Sequence, residues 1–313
     1  MKVASVYNLG DNVSTRDAYG KILVELGAAN ERIMVFGSDV DDSNKIQEFE
    51  KRFPRRFFKS GISEAHMVSR ALGWAYEGFI PVVNSFAAFG SHRGYDQIFQ
   101  GLRRQAHALF VFSHAGLGVG QDGESAQAIT DMTLMASIPG MAYVFDPIDA
   151  AETAQLMQWA VTENDKPVYI RTRRQETPVL VPSDHFVPGK ARVLRDGSDA
   201  AIVACGPIVN HALEAAQLPD LSVRVIAQST IKPIDVVSLA QAVKGCSTVC
   251  TLEDHGTKGG LGDAVSEALQ MPVHRFGMER YGATGTPEEL YKAFQLDGQG
   301  IAQRIRSIAK AQK

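Results

Sequence analysis

Short runs of β-branched and aromatic residues alternate with longer stretches in which apolar positions recur every three or four residues. In the first part of the chain the short runs are RIMVFGS (32–38), FIPVVNSF (79–86), ALFVFSH (108–114), MAYVFD (141–146) and PVYIRT (167–172), each of strand length. Amphipathic segments near 14–28, 62–77, 92–106, 125–136 and 149–164 separate them and predict helices. After Thr177 the stretch PVLVPSDHFVPG carries three prolines and one glycine, which breaks any regular element. A second alternating series follows: KARVLR, DAAIVACG, SVRVIAQ, STVCTLED and PVHRFG as strands, with helices near 207–217, 234–243, 260–269 and 286–295. Strand and helix in strict alternation predict an α/β chain of two domains, each a mainly parallel sheet flanked by helices. The boundaries fall at 1–180, a linker at 181–188, and 189–313.

Composition sharpens this picture by exclusion. The 313 residues suit two domains of roughly 150 residues each, and 45% hydrophobic with 21% charged content is that of an ordinary globular protein. A net charge of −3, with both signs interspersed, gives no electrostatic footprint for nucleic acid or an anionic membrane. The first twenty residues lack the apolar core of a signal peptide, and no apolar run approaches the roughly 18 residues of a membrane span. A cytoplasmic location is the expectation. Cys205, Cys246 and Cys250 form no zinc-like grouping and are expected to be reduced and buried.

The chemistry is expected where the strands end, because open parallel sheets bind ligands beyond the carboxyl ends of their strands. Those ends carry Ser38-Asp39 with Asp41 and Asp42, then Ser85-Phe86, His114-Ala115-Gly116, and Arg171 to Arg174. The glycine-rich stretch FSHAGLGVGQDGESAQ (112–127) formally contains G-x-G-x-x-G at Gly118, Gly120 and Gly123. It follows a late strand, however, and Asp122 inside it would repel a pyrophosphate, which disfavours a dinucleotide site. A loop holding His114 and Asp122 suits a small polyhydroxylated substrate; the plainer reading is a tight turn. Glu64 likewise has two readings. After Gly61-Ile62-Ser63 it can be a first-turn acid, favoured by the helix dipole by about 0.3–1 kcal/mol, or it can be a catalyst. Phe86 and Phe89, followed by His92, Arg93, Tyr95 and Asp96, can pack a core or offer faces to a flat heteroaromatic ring. Arg16 and the cluster Arg171, Arg173, Arg174 present planar forks suited to phosphate oxygens, or simply a solvated surface.

Together the ordered segments STRDAYGKILVELG, GSDVDDS, RFFKSGISEAHMVSRALG, NSFAAFGSHRGYDQI, SHAGLGVGQDGESAQ and YIRTRRQE resemble the C-terminal half of transketolase, from about Ser14 to Thr177. The similarity continues more loosely through LEDHGTKGGLGDAV. This resemblance implies a pyrimidine-type thiamine diphosphate-binding domain followed by a transketolase C-terminal-type domain. It implies thiamine diphosphate and Mg²⁺ as cofactors. Glu64 matches the glutamate that hydrogen-bonds the aminopyrimidine ring; Phe86 and Phe89 match the pocket around that ring; Asp39 matches a carboxylate near the cofactor. Arg16, Ser43, His114 and Arg174 match groups that hold a sugar phosphate or orient its hydroxyls, and Asp122 matches a carboxylate that reads a substrate hydroxyl. The implied reaction moves a two-carbon ketol unit from a ketose phosphate to an aldose phosphate.

Departures from the family pattern qualify this carry-over. Ala126 stands where relatives have His or Gln, with Gln127 beside it. One residue is inserted around FGSHRGYDQ, so His92 (toward the cofactor) and Arg93 (toward substrate) compete for one place. The acidic pair Asp41-Asp42 adjoins Ser43. The diphosphate-binding G-D-G motif of the family's N-terminal domain is absent, which implies the C-terminal subunit of a split enzyme, with an N-terminal transketolase subunit holding diphosphate and Mg²⁺ and two copies of each chain. A beta-type subunit of a 2-oxo acid dehydrogenase, a deoxyxylulose phosphate synthase and a non-catalytic module of the same fold are the alternatives.

Overall fold

The computed structural model describes residues 7–182, 186–218 and 221–311; residues 183–185 of the expected linker lie outside that range. A seven-stranded sheet forms the first domain, in the spatial order Thr230–Lys232, Tyr143–Phe145, Val168–Arg171, Leu109–Ser113, Ile80–Phe86, Ile33–Gly37, Phe57–Lys59. All its pairings are parallel except that of Thr230–Lys232 with Tyr143–Phe145. The five predicted strands are all present and central. Their alternation splits the apolar residues between two faces, as the period of two requires. Met34, Phe36, Val83, Phe110 and Phe112 enter one core, and Ile33, Val35, Val82, Leu109 and Val111 enter the other, against the helices Thr15–Ala29 and Ala150–Thr162. Both helices start on side-chain caps: Ser14 Oγ accepts from the Asp17 amide at 3.1 Å, and Asp149 Oδ1 accepts from the Glu152 amide at 2.7 Å.

The second domain is a five-stranded sheet in the order His274–Met278, Thr248–Gly256, Ala200–Ala204, Val223–Ala227, Arg192–Arg195, parallel but for its last pair. Helices Val209–Gln217 and Gly298–Ala311 pack on it. The two halves of the chain are interlocked. Thr230–Lys232, from the later half, completes the edge of the first sheet, and Lys232 Nζ donates to Ala136 O (2.9 Å) and Ile138 O (3.0 Å) at the C-terminal end of the helix Asp131–Ser137. A cation there also meets the negative end of the helix dipole. Among the described residues no helix is long and apolar enough to cross a membrane. The three cysteines are free; Cys205 and Cys250 are buried and Cys246 is half-buried.

Several elements differ from the sequence reading. The helix expected at 92–106 is two short helices, Ala87–Arg93 and Tyr95–Gly101, joined at Gly94. Space dictates that glycine: a Cβ there would sit 2.8 Å from Gly90 O and 3.0 Å from Val68 Cγ2. The helix expected at 125–136 begins only at Asp131. The strands Asn12–Ser14, Phe57–Lys59, Glu176–Pro178 and Thr230–Lys232 are three residues each, too short to show a period.

Candidate active site

Four adjacent parallel strands, Val168–Arg171, Leu109–Ser113, Ile80–Phe86 and Ile33–Gly37, end along one edge of the first sheet. Beyond that edge lie most of the residues singled out above. Glu64 opens the helix Glu64–Tyr76 and is buried, with 4% of its surface exposed. The preceding Ser63 gives no side-chain cap; its hydroxyl donates to Ser60 O. Glu64 turns its carboxylate across to the next helix, where Oε1 accepts from Arg93 Nη1 at 2.9 Å. Burial and a partner on another helix set this carboxylate apart from a solvent-facing first-turn acid.

The aromatic residues form a row rather than part of the core. Phe86 ends its strand, and Phe89 lies one helical turn on, with ring centroids 5.5 Å apart and planes at 24°. His114 stacks on Phe86 at 3.8 Å and 25°. At the far end the Arg93 guanidinium lies 4.5 Å from the Phe89 ring centroid. The inserted residue is thereby placed: Arg93 faces Glu64, whereas His92 points to Thr130, with Nε2 2.9 Å from its Oγ1 and Nδ1 2.8 Å from Ala88 O. The structure does not bring His92 to Glu64.

His114 is the best-defined group of the site. It is buried, with a left-handed backbone at φ 57°, a conformation that a non-glycine residue adopts at a cost and that clusters at functional sites. Ser113 Oγ donates to Asn44 Oδ1, so the contact of 2.7 Å between Ser113 Oγ and His114 Nδ1 is made by the ring N–H. Nε2 then carries a lone pair, and Arg16 Nη1 donates toward it at 3.4 Å. Burial, with the Arg16 and Arg174 cations nearby, pulls the imidazole pKa down to about 3. The ring is therefore neutral, with Nε2 as a hydrogen-bond acceptor, throughout the physiological range.

Around Nε2 the charges alternate. Arg16, at the start of the helix Thr15–Ala29, also donates from Nη1 to Ser43 O at 3.0 Å, and its Nε is buried without a partner. Asp122 Oδ2 lies 3.9 Å from His114 Nε2, and its Oδ1 accepts from Arg174 Nη1 at 3.1 Å. Ser43 therefore reaches this cluster through its carbonyl. Asp39 is exposed in the turn after Ile33–Gly37. Its neighbour Asp41 is buried and holds that turn by accepting from the Ser38 amide at 2.8 Å; desolvation raises its carboxyl pKa to about 6. Of the acidic pair beside Ser43, Asp41 thus serves the turn and only Asp42 faces solvent.

Two of the three arginines in the expected cluster have a different task. Arg171 and Arg173 are fully buried. Arg171 Nε and Nη1 bind Asp131 and Asp146 at 2.7 Å each, and Nη2 donates to Ala128 O and Asp254 O at 3.1 Å. Arg173 Nη2 binds Asp146 at 2.8 Å, and its Nε lies 3.6 Å from Asp254. Asp254, from the second domain, in turn accepts from the Leu117 amide at 2.6 Å and from Tyr291 OH at 2.8 Å. This lattice fixes the glycine-rich loop that carries Asp122. At Gly116, with φ 79°, a Cβ would stand 2.3 Å from Asp254 Oδ2, so only glycine lets the loop approach. Ala126 is buried, and Gln127 accepts from the Gly282 amide at 2.7 Å, so the loop's end packs on the second domain. Asn44, Asp254 and Tyr291 escape the sequence reading, since no local spacing ties them to His114 or the loop. Among the described residues no group of three or more His, Cys, Asp or Glu side chains is arranged to hold a metal ion.

Comparison with known proteins matches both domains of this fold. Residues 11–179 match the transketolase pyrimidine-binding domain, and residues 189–301 match the transketolase C-terminal domain. A putative transketolase C-terminal section of Methanocaldococcus jannaschii is 34% identical over 99% of both chains. Human transketolase is 34% identical over 96% of this chain, which spans only 50% of the human protein; for mouse transketolase-like protein 2 the figures are 36%, 96% and 49%. The chain thus covers about half the length of these full-length relatives. Among solved structures, a split-gene transketolase described as an inactive beta4 tetramer superposes with a TM-score of 0.85 at 35% identity, covering 96% of this chain and 99% of that one. The transketolase of Campylobacter jejuni shares the fold at a TM-score of 0.84 and 23% identity, over 96% of this chain and 47% of that one. Two matched domains, with one relative by sequence and one by structure covered across 99% of their length, place the chain in the transketolase family.

Proposed function

We propose that this chain is the pyrimidine-side subunit of a two-chain, thiamine diphosphate-dependent transketolase, active with an N-terminal subunit that binds the diphosphate and Mg²⁺, in an assembly of two copies of each chain. The observation that carries the reading is the buried Glu64 carboxylate beside the Phe86–Phe89 stack. A flat, hydrogen-bonding heteroaromatic ring fits such a place, with one edge on the carboxylate and one face on an aromatic side chain. Full-length coverage of a C-terminal transketolase section, and half-length coverage of one-chain transketolases, supports the split.

Thiamine diphosphate, when bound, supplies the carbon nucleophile that opens the bond next to a ketose carbonyl. This chain's residues do the positioning. Glu64 would hydrogen-bond a ring nitrogen of the aminopyrimidine, and Phe86 and Phe89 would flank that ring. His114, neutral with an Nε2 lone pair turned to the crevice, accepts a hydrogen bond from a substrate hydroxyl. Asp122 accepts a hydrogen bond from another hydroxyl, while Arg16 and Arg174 offer the phosphate end two guanidinium forks. Asp39, exposed at the strand end, and His92, turned toward Thr130, are assigned no contact.

Two cations around a neutral imidazole suit a phosphorylated polyol better than a 2-oxo acid, which has one carboxylate and no hydroxyls to read. The test is transfer of a two-carbon unit from a ketose phosphate to an aldose phosphate by the chain co-expressed with its diphosphate-binding partner. Glu64→Ala should abolish turnover with folding and partner binding intact; undiminished activity of that variant would sink the proposal.

A further inference from the structure

The site that Glu64 and Phe89 define is already filled by a side chain of the protein itself. Arg93 Nη1 donates to Glu64 Oε1 at 2.9 Å, and its guanidinium carbon lies 4.5 Å from the centroid of the Phe89 ring. These are the two contacts that a flat nitrogen heterocycle would make: an N–H edge on the carboxylate and a face on the arene. Guanidinium is planar, carries its donors in the plane and stacks on aromatic faces. It is a close chemical stand-in for a protonated aminopyrimidine.

We infer that Arg93 is a placeholder for the pyrimidine ring: it partners the buried carboxylate and must withdraw when the ring enters. Its attachment suits departure. Arg93 is the last residue of the helix Ala87–Arg93, immediately before Gly94, and half of its side chain is exposed (51%), whereas Glu64 beneath it is 4% exposed. Leaving Glu64 unpaired would be costly for a buried carboxylate; the placeholder removes that cost until the ligand arrives. The price is competition, since every ring that binds must displace an ion pair and a cation–π contact. Losing a half-exposed ion pair and a cation–π contact together corresponds to roughly a tenfold loss of affinity or somewhat more.

This inference rests on the proposed ring site, and calorimetric titration of the chain assembled with its diphosphate-binding partner, with thiamine diphosphate and Mg²⁺ as the probe, separates the two. Arg93→Ala should bind about tenfold more tightly than the unaltered chain. Arg93→Lys keeps the charge but not the planar fork and should fall between them, which also serves if the alanine variant folds poorly. Glu64→Gln should bind far more weakly than either. Equal or weaker binding by Arg93→Ala, or no detectable binding by it, overturns the placeholder. Unchanged binding by Glu64→Gln overturns the ring site itself.

Discussion

The neutral His114 makes stability depend on pH in a way that can be isolated. Its folded pKa is about 3, against 6.5 for a free imidazole. Below pH 6.5 the unfolded chain takes up a proton that the folded chain refuses, so the contribution is complete above pH 6.5 and declines as the pH falls toward 3. Across that window each pH unit weakens the fold by the free energy of one pKa unit, so going from pH 7.0 to 4.5 should cost about 2–3 kcal/mol through His114 alone. Glu152 works in the opposite direction. It is buried, its carboxyl pKa is raised to about 7, and its protonated form favours the fold as the pH falls. Comparing the unaltered chain with His114→Asn cancels that effect, because both carry Glu152. The assay is urea unfolding of both chains at pH 7.0 and 4.5. The unaltered chain should lose about 2–3 kcal/mol more than the variant between the two pH values, and the His114 ring proton signal should show no titration between pH 5 and 8. Identical pH dependence in the two chains, or a His114 midpoint near 6.5, would refute the buried neutral imidazole.

Other consequences follow from the same contacts. Asp131→Ala leaves Arg171 buried beside a vacancy and should destabilise the chain by about 3–5 kcal/mol, read as a lowered urea midpoint. Replacing a solvent-facing acid such as Glu48, already 70% exposed in its pair with Lys51, should change the midpoint little. Gly116→Ala, with its Cβ 2.3 Å from Asp254 Oδ2, should loosen the glycine-rich loop and raise KM more than it lowers the melting temperature. Arg174→Ala should raise KM for phosphorylated sugars at least tenfold, with a smaller effect on unphosphorylated ones; an equal effect on both would count against a phosphate anchor.

The fold was legible because burial dominates the sequence of a parallel sheet. The five central strands, from Ile33–Gly37 to Val168–Arg171, are apolar on both faces and announce themselves. Edge strands such as Phe57–Lys59 and Thr230–Lys232 escape notice because three residues give no periodicity and their pairing is decided in space. The closing helix Gly298–Ala311 was also missed: glycines at 298 and 300 weaken its first turn as a signal, although Ile301, Ala302 and Ile305 form a buried stripe.

In the site, residues close in sequence to a strand end were found and residues brought by another element were not. Phe86, Phe89, His114 and Asp122 belong to the first group. Asn44, which orients His114 through Ser113, belongs to the second, as does Asp254, which reaches the loop from 137 positions beyond Leu117. The arginines show the limit most clearly. Arg171, Arg173 and Arg174 look alike in YIRTRRQE, yet the first two are buried against three aspartates from distant segments and only Arg174 reaches Asp122.

The central claim is that Glu64 and its surroundings form half of a shared active site. Its most direct measurement is two-carbon transfer from a ketose phosphate by the chain alone, by its diphosphate-binding partner alone, and by the two together, each with thiamine diphosphate and Mg²⁺. The account predicts activity only in the mixture, abolished there by Glu64→Ala. Turnover by either chain alone, or a mixture whose activity survives Glu64→Ala, would contradict it.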